Sequence, residues 1–394
     1  MKFLEDFFEK ARHPFEKGGK FEKHGSFLVA IDAFETFLFT PKEVTHRGVH
    51  IKDGIDLKRT MSTVILAMVP CLLFGMYNAG FQHFRAQGLL ESATFWEMIA
   101  MGAWKVLPIV VVSYAVGLGI EFAFAMKKGH SVEEGFLVSG MLIPLILPID
   151  IPLWMVALST AFAVVFGKEV FGGTGMNIMN VALTARAFLF FAYPTYMSGD
   201  KIWVHGALAS TNTPDAYSGA TILGELANNV PVDYNVYSVS DMFFGFIPGS
   251  IGETSTFAIL IGAAILLFTG IGSWRVMLSA VAGASVMGLI FNAIGATVLM
   301  SFPWWQHLIV GGFAFGVVFM ATDPVTAAQT NTGKLIYGFL IGIFAIMIRV
   351  FNPAYPEGIM LAILLMNVMA PLIDHYVVQA NISRRLKRAT VKTA

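Results

Sequence analysis

The chain has 394 residues, of which 56% are hydrophobic and 13% are charged, whereas an average soluble domain has roughly 25% charged residues. Its 26 Lys and Arg balance 26 Asp and Glu, so no charge excess favours nucleic acid or an acidic polymer as a partner. The single cysteine, Cys71, excludes an intrachain disulfide and a zinc or iron-sulfur centre held by a cysteine cluster. The composition predicts a membrane protein.

Ten segments approach the roughly 20 apolar residues that a membrane-spanning helix needs. They are 60–79, 105–126, 136–149, 153–168, 177–194, 256–272, 276–298, 305–322, 334–351 and 358–376. The stretch SGMLIPLILPIDIPL is rich in proline, which a span tolerates only where neighbouring protein or trapped water satisfies the freed backbone groups. We therefore predict an all-α polytopic membrane protein of about ten transmembrane helices, some of them broken or half-helices.

Lys and Arg predict the orientation, because they are enriched in cytoplasmic loops. With a cytoplasmic N-terminus, the inner side carries KKGH (127–130), Lys168, Arg275, Lys334 and RRLKR (384–388). The outer side then carries Arg85, Lys105, Lys201 and Arg349. This asymmetry predicts that both termini are cytoplasmic. The predicted divisions are a cytoplasmic N-terminal extension (1–55), five spans (56–194), a periplasmic loop (195–255), five spans (256–376) and a basic cytoplasmic tail (377–394).

Two proline-containing turns at predicted outer helix ends look alike: FFAYP (190–194) and VFNPAYPEG (350–358). Their likeness raises an internal repeat, which is common in transport folds. In an inverted repeat, two helix ends that are five spans apart would lie on opposite sides of the membrane. The likeness of two outer ends is therefore not evidence for an inverted repeat, and the question of an internal repeat stays open.

The predicted outer loop contains the tetrapeptide Ser218-Gly219-Ala220-Thr221. One interpretation makes Ser218 the N-cap of a short helix. The other makes Thr221 a modification site. A threonine hydroxyl is a poor nucleophile without an activating group, and no His or Lys adjoins Thr221, so an external enzyme would have to modify it. The small Gly219 and Ala220 would let this chain enter that enzyme's cleft.

The segment KEVFGGTGMNIMN joins a cytoplasmic glycine-rich turn to the predicted start of a helix. Asn177 and Asn180 stand three residues apart, which predicts that they lie on one helical face. Their amides suit the edge of a heteroaromatic ring. Helix capping and interhelical hydrogen bonding are the alternative.

Glu121, Arg186, Asp323 and Asp374 are ionisable residues within or at the ends of predicted spans, where their burial is costly. Glu121 and Arg186 are the stronger functional candidates, since Arg186 in mid-span needs a carboxylate, a carbonyl cluster or a ligand. Asp323 and Asp374 fall at cytoplasmic helix ends, where an ordinary interfacial charge is the simpler interpretation.

A series of motifs in one order extends the interpretation. They are DLKR (56–59), GMYNAG (75–80), KEVFGGTG (168–175), ARAFLFFAYP (185–194), YSGAT (217–221), IPGSIGE (247–253), GGFAFG (311–316), FMATDP (319–324), NPAYPEG (352–358) and APLIDH (370–375). With them, the chain resembles the B subunits of the bacterial sodium-translocating NADH:quinone oxidoreductases nearly end to end. The related D subunits of Rnf complexes share the SGAT loop but usually lack a long N-terminal extension, which this chain has.

The resemblance implies that Thr221, at the end of Ser218-Gly219-Ala220-Thr221, carries FMN through a phosphoester bond installed by a flavin transferase on the outer face. It implies a non-covalent riboflavin near Asn177 and Asn180, a region to which we also assign Arg186. It implies quinone around Gly117 and Glu121. The family commonly has two adjacent glycines before this glutamate, whereas this chain reads Gly117-Leu118-Gly119, so quinone and inhibitor preference are not carried over.

The expected function is a redox subunit, without catalytic residues of its own, in a six-subunit complex of the bacterial inner membrane. Electrons from NADH would reach FMN, then riboflavin, then quinone, coupled to Na⁺ export. Glu121, Asp323 and Asp374 are candidate Na⁺ ligands. No dinucleotide fingerprint appears in the chain, so NADH is expected to bind elsewhere. An Rnf-type D subunit and a non-redox secondary transporter remain the alternatives.

Overall fold

The computed structural model describes residues 57–128, 135–200, 202–205 and 219–389, together with a few isolated positions before residue 50. Within these ranges the chain is built from helices and turns and contains no strand. Almost all of the predicted N-terminal extension lies outside the described residues, as does Ser218.

Among its described residues, the first half of the membrane part contains five helices. They are α1 (Leu57–Ala86), α2 (Phe95–Lys128), α3 (Phe136–Leu145), α4 (Leu153–Gly167) and α5 (Val181–Ala192), with short 3-10 turns at Glu169–Phe171 and Pro194–Tyr196. Helix α2 packs against α1, α3 and α4, and α4 packs against α5. The short helix α3 also contacts α1 and α5, so it is enclosed by longer helices.

The second half follows two short helices of the connecting loop, α6 (Ile222–Ala227) and α7 (Val239–Phe244). It contains α8 (Thr256–Phe268), α9 (Trp274–Ile294), α10 (Val298–Ser301), α11 (Gln306–Ile309), α12 (Phe313–Phe315), a π-helical turn (Gly316–Met320), α13 (Asn331–Phe351) and α14 (Ile359–Ala389). Helix α13 packs between α9 and α14, while contacts of α1 with α8 and of α5 with α14 join the two halves.

Six helices in the described residues are long and apolar enough to cross a membrane: α1, α2, α4 with its following turn, α9, α13 and α14. Three shorter apolar helices, α3, α5 and α8, accompany them. The predicted span 305–322 is not continuous and consists of α11, α12 and the π-helical turn. The prediction of a polytopic helical membrane protein with broken helices is confirmed.

The proline-rich segment after α3 shows how a broken span is satisfied. The Leu145 carbonyl accepts a hydrogen bond from the Gly252 amide at 2.7 Å, and the Leu147 carbonyl accepts one from Ile251 at 3.2 Å. A Cβ on Gly252 would lie 2.6 Å from a methyl carbon of Leu145, so the absence of a side chain permits this approach. Neighbouring protein therefore satisfies backbone groups that the broken helix leaves open, as the sequence required.

Small residues bring the long helices close together. A Cβ on Gly283 of α9 would clash with the Phe339 carbonyl of α13, and one on Gly342 of α13 would clash with the Ala280 carbonyl of α9. Such close backbone approach is how membrane helices gain packing energy without a hydrophobic driving force.

Candidate functional site

Thr221 is the N-cap of α6, with extended backbone angles of φ −74° and ψ 153°. Its Oγ1 accepts a hydrogen bond from the Gly224 amide at 3.1 Å. The expectation that Ser218 caps this helix is wrong, because the helix begins at Ile222 and the capping oxygen belongs to the residue immediately before it. Thr221 is half-buried, so it is neither in the core nor fully in solvent.

The position of Thr221 is fixed by the apolar side chains that follow it. Ile222, Leu223 and Leu226 are each 2% exposed or less and pack in a cluster separate from the main core. On the other side, a Cβ on Gly219 would lie 2.7 Å from the carbonyl oxygen of Asp200, so this glycine keeps the two loop segments in contact. Gly219, Ala220 and Thr221 therefore have a defined place in the fold.

Thr221 borders two cavities. The larger, here called the threonine cavity, has a volume of about 1430 Å³, including space open to solvent. Its lining comprises Met197, Ser198, Gly199, Asp200, Trp203, Ala220, Thr221, Gly224, Glu225, Asn228, Val230, Pro353, Tyr355, Pro356 and Glu357. The smaller cavity, about 360 Å³, contains Thr221 with Glu253 and Glu357 in its lining.

A buried ionic cluster lies beside these cavities. Arg186 Nη1 donates to both carboxylate oxygens of Glu253, at 3.0 and 3.1 Å, and its Nη2 donates to Glu357. The hydroxyl of Tyr355 donates to Glu357 at 3.2 Å. Arg186 is 2% exposed. It therefore has the carboxylate partners that the sequence required. These partners line the smaller cavity together with Thr221, whereas Arg186 is not among the residues that line the cavity of Asn177 and Asn180, the region to which we assigned it.

A second buried arginine, Arg349 of α13, holds the broken span in place. Its guanidinium donates to the carbonyls of His307 at 2.5 Å, Val310 at 3.0 Å and Glu357 at 2.9 Å. Arg349 lies in the last turn of α13 and is 1% exposed, so this charge, which the sequence counted on the outer side, is buried in protein. The sequence interpretation also missed Glu253 and Glu357, although both stand in the quoted motifs IPGSIGE and NPAYPEG.

The second site, here called the asparagine cavity, has a volume of about 810 Å³, including space open to solvent. Its lining comes from the start of α1, from α3, from segment 168–181, from the end of α8 and from residues 319–325. Asn177, Asn180, Lys168 and Asp323 are among its lining residues.

The two asparagines reach this cavity in different ways. Asn180 is the N-cap of α5, where its Oδ1 accepts from the Leu183 amide at 3.2 Å and its Nδ2 donates to Asp323 at 3.2 Å. Asn177 precedes the helix, and its Nδ2 donates to the Met179 carbonyl at 3.2 Å. The expectation of one shared helical face is therefore wrong, because α5 begins only at Val181. Both residues nevertheless line the same cavity.

The three candidate Na⁺ ligands are held separately. Asp323 accepts from the Val325 amide at 3.0 Å and from Thr326 Oγ1 at 3.1 Å. Asp374 accepts from the Thr330 amide at 3.0 Å and its hydroxyl at 2.5 Å, so it holds in place the residue that is the N-cap of α13. No group of three or more His, Cys, Asp or Glu side chains in the described residues is arranged to hold a metal ion.

Glu121 forms an ion pair with Lys168, and both side chains are 4% exposed. One turn earlier on α2, Gly117 faces the ring of Phe136, and a Cβ at this position would clash with that ring. Leu118 packs against the main core, and Gly119 faces open space. Gly117 is thus a point of close contact between α2 and α3, whereas Glu121 is tied to the segment that leads to the asparagine cavity.

This architecture defines a polytopic helical membrane protein with broken spans, a threonine placed at the edge of a loop cavity, and a second cavity among its helices that is lined in part by asparagines. The family model described as "NQR2, RnfD, RnfE family" matches residues 44–383, and the chain belongs to this family.

Three relatives are each named as the B subunit of a Na(+)-translocating NADH-quinone reductase. The protein of Chromohalobacter salexigens is 50% identical, over 96% of this chain and 95% of its own length. That of Stutzerimonas stutzeri is 47% identical, over 97% and 98%. That of Azotobacter vinelandii is 47% identical, over 97% and 98%.

Proposed function

We propose that this chain is the membrane redox subunit of a sodium-pumping NADH:quinone oxidoreductase, with FMN esterified to Thr221 and riboflavin in the asparagine cavity. The near full-length similarity to proteins named as the B subunit of such a reductase supports this function. The single structural observation that carries it is the placement of Thr221 at the edge of a cavity of about 1430 Å³.

The residues around Thr221 fit a phosphoester. Esterification leaves Oγ1 in place at the cap, beside the Gly224 amide. The neighbouring Arg186 and Arg349 offset the charges of Glu253 and Glu357, so this cluster adds no net negative charge next to a phosphate. Burial raises the pKa of Glu225, which lines the same cavity and thus is more easily protonated than an ordinary glutamate.

The asparagine cavity fits an uncharged heteroaromatic ligand. An amide side chain has two N–H donors and two acceptor lone pairs, so Asn180 keeps one of each beyond its bonds to Leu183 and Asp323. When bound, the flavins supply the electron-transfer chemistry, while the protein holds and orients them. Glu121 and Gly117 stand in the region where we propose that quinone accepts the electrons.

The complex would contain five further subunits and lie in the bacterial inner membrane. Both termini would be cytoplasmic, and residues 195–255 would form the outer loop on which a flavin transferase acts. The membrane part would comprise two halves, 56–194 and 256–376. An Rnf-type D subunit is an alternative at the level of the family only, whereas a secondary transporter has no use for a flavin on an outer-loop threonine.

Flavin fluorescence of the denatured subunit in a gel tests the proposal, with protein made in its native host. Thr221→Ala removes both the hydroxyl and the helix cap, which costs about 0.5–2 kcal/mol. Thr221→Asn is the matched variant, since asparagine caps a helix as well as threonine but cannot be esterified. We expect a fluorescent wild-type band and no fluorescence in either variant. A dark wild-type band in cells with an active transferase would return the chain to the transporter alternative.

The sodium assignment has its own test. Glu121, Asp323 and Asp374 remain the candidate ligands, because carboxylate oxygens suit a hard cation and broken helices add carbonyl oxygens. We expect neutralising substitutions at these positions to lower the Na⁺ exported per electron in reconstituted vesicles. If Glu121→Gln, Asp323→Asn and Asp374→Asn combined leave this ratio unchanged, the assignment is abandoned.

A further inference from the structure

Lys168 is the only cationic side chain among the described residues that line the asparagine cavity. It is 3% exposed, although it follows directly on the last residue of α4, where the sequence predicted an ordinary cytoplasmic loop charge. Its carbonyl accepts from the amides of Phe171 and Gly173, both at 3.2 Å, which fixes the backbone of this turn. Burying an ammonium in such a fixed turn is costly, even when the charge is paired.

Lys168 links the asparagine cavity to Glu121, two places that the sequence interpretation treated separately. It forms an ion pair with Glu121 of α2, which is not part of the cavity lining, while Lys168 itself is. The cation therefore lies on the path between the cavity and Glu121. A change of charge in the cavity therefore changes how strongly the Lys168 ammonium attracts the Glu121 carboxylate.

The ammonium of Lys168 is important when the bound flavin accepts electrons, and not when the flavin binds. Oxidised riboflavin is uncharged and has no phosphate, so binding it requires no cation. If riboflavin is bound in the cavity, an electron that it accepts without a proton would add one negative charge there, with no bond formed or broken. In a medium of low effective dielectric constant, a fixed ammonium nearby lowers the cost of that charge far more than it would in water.

We propose that Lys168 is a positioning residue that couples the charge of the asparagine cavity to Glu121, an inference that rests on the proposed riboflavin site. While the flavin in the cavity is uncharged, Lys168 is the counter-charge of Glu121. When the cavity gains negative charge, the ammonium is shared between the two, and the attraction that it exerts on the Glu121 carboxylate weakens. Glu121 then becomes a better partner for another cation, such as Na⁺ or a proton.

The test is the midpoint potential of the non-covalent flavin in the purified complex, with the amount of flavin released on denaturation measured in parallel. Lys168→Met removes the cation and leaves Glu121, so the potential shifts to more negative values. Glu121→Gln leaves the cation alone beside the cavity, so the potential shifts to more positive values. The double variant removes both charges and returns the potential towards wild type, and Lys168→Arg keeps it close to wild type.

A neighbouring ion pair provides the matched control. Lys128 pairs with Glu169 at 3.0 Å and also links α2 to the turn after α4, but neither residue lines the cavity, and the Lys128 side chain is 35% exposed. Solvent screens such a charge, so Lys128→Met leaves the potential close to wild type.

Shifts of opposite sign for the two single variants support the coupling, since a purely structural pair would give losses of the same kind in both. If the complex with Lys168→Met does not assemble, the potentials measured for Glu121→Gln and for the double variant still test the proposal. Unchanged potentials with a full flavin content would overturn the inference and leave the riboflavin site standing. A wild-type complex that releases no non-covalent flavin would overturn both.

Discussion

The Arg186→Met variant is expected to be less stable than a variant with a surface substitution, because it lacks the cation that Glu253 and Glu357 share. Arg186 and Glu253 are 2% and 5% exposed, so solvent screens their attraction little. Breaking a buried ion pair by removing one partner costs about 3–5 kcal/mol. Glu357, whose side chain is 12% exposed, is the better placed of the two carboxylates to regain hydration.

We therefore expect Arg186→Met to lower the free energy of unfolding by about 3–5 kcal/mol. Adding Glu253→Gln removes one of the two uncompensated carboxylates, so the double variant should be more stable than the single one. Arg384→Met in the exposed end of α14 is the control, with an expected change of about 0.5 kcal/mol or less.

The assay is SDS titration of the purified protein in mixed micelles, monitored by circular dichroism. A loss for Arg186→Met no larger than that of Arg384→Met would refute the stabilising role of the cluster. A double variant less stable than Arg186→Met would refute the explanation by uncompensated charge.

Two further predictions concern orientation and capping. Because the only native cysteine, Cys71, is 1% exposed, a single added cysteine reports its own position: a membrane-impermeant thiol reagent should label Ser240→Cys in intact cells but Ser383→Cys only after lysis. The reverse pattern would overturn the proposed orientation. Asp374→Ala should destabilise the protein by about 1.5–3 kcal/mol through loss of the hydrogen bonds that hold Thr330, the N-cap of α13, and Asp374→Asn should restore most of this stability because an amide oxygen can still accept them. If thermal denaturation shows equal losses of stability for Asp374→Ala and Asp374→Asn, the charge of Asp374, and not its hydrogen bonds to Thr330, stabilises the protein.

The sequence was sufficient for the helical class because long apolar runs and proline-rich interruptions are local properties. The prolines in 144–152 also predicted that other parts of the protein supply hydrogen-bond partners for the backbone there. The amides of Ile251 and Gly252 are such partners. The identity of these donors was not predictable, since they are about a hundred residues away in the chain.

The same limit applies to the charged residues. Arg186 was expected to need a partner, but its partners come from two separate loops, and nothing local to α5 indicates them. Lys168 was counted as a loop charge because hydropathy patterns do not show that a turn after a helix is covered by other helices. Asn180 was assigned to a helical face because the start of α5 could not be located to within a few residues from the pattern alone.

Mass spectrometry of the proteolytic peptide that contains Thr221, from the complex purified from its native host, tests the central claim most directly. The account predicts a mass increase of one FMN less one water, with fragmentation that assigns the added group to Thr221. An unmodified Thr221 peptide from an active complex would contradict it, since the threonine would then be only the cap of α6.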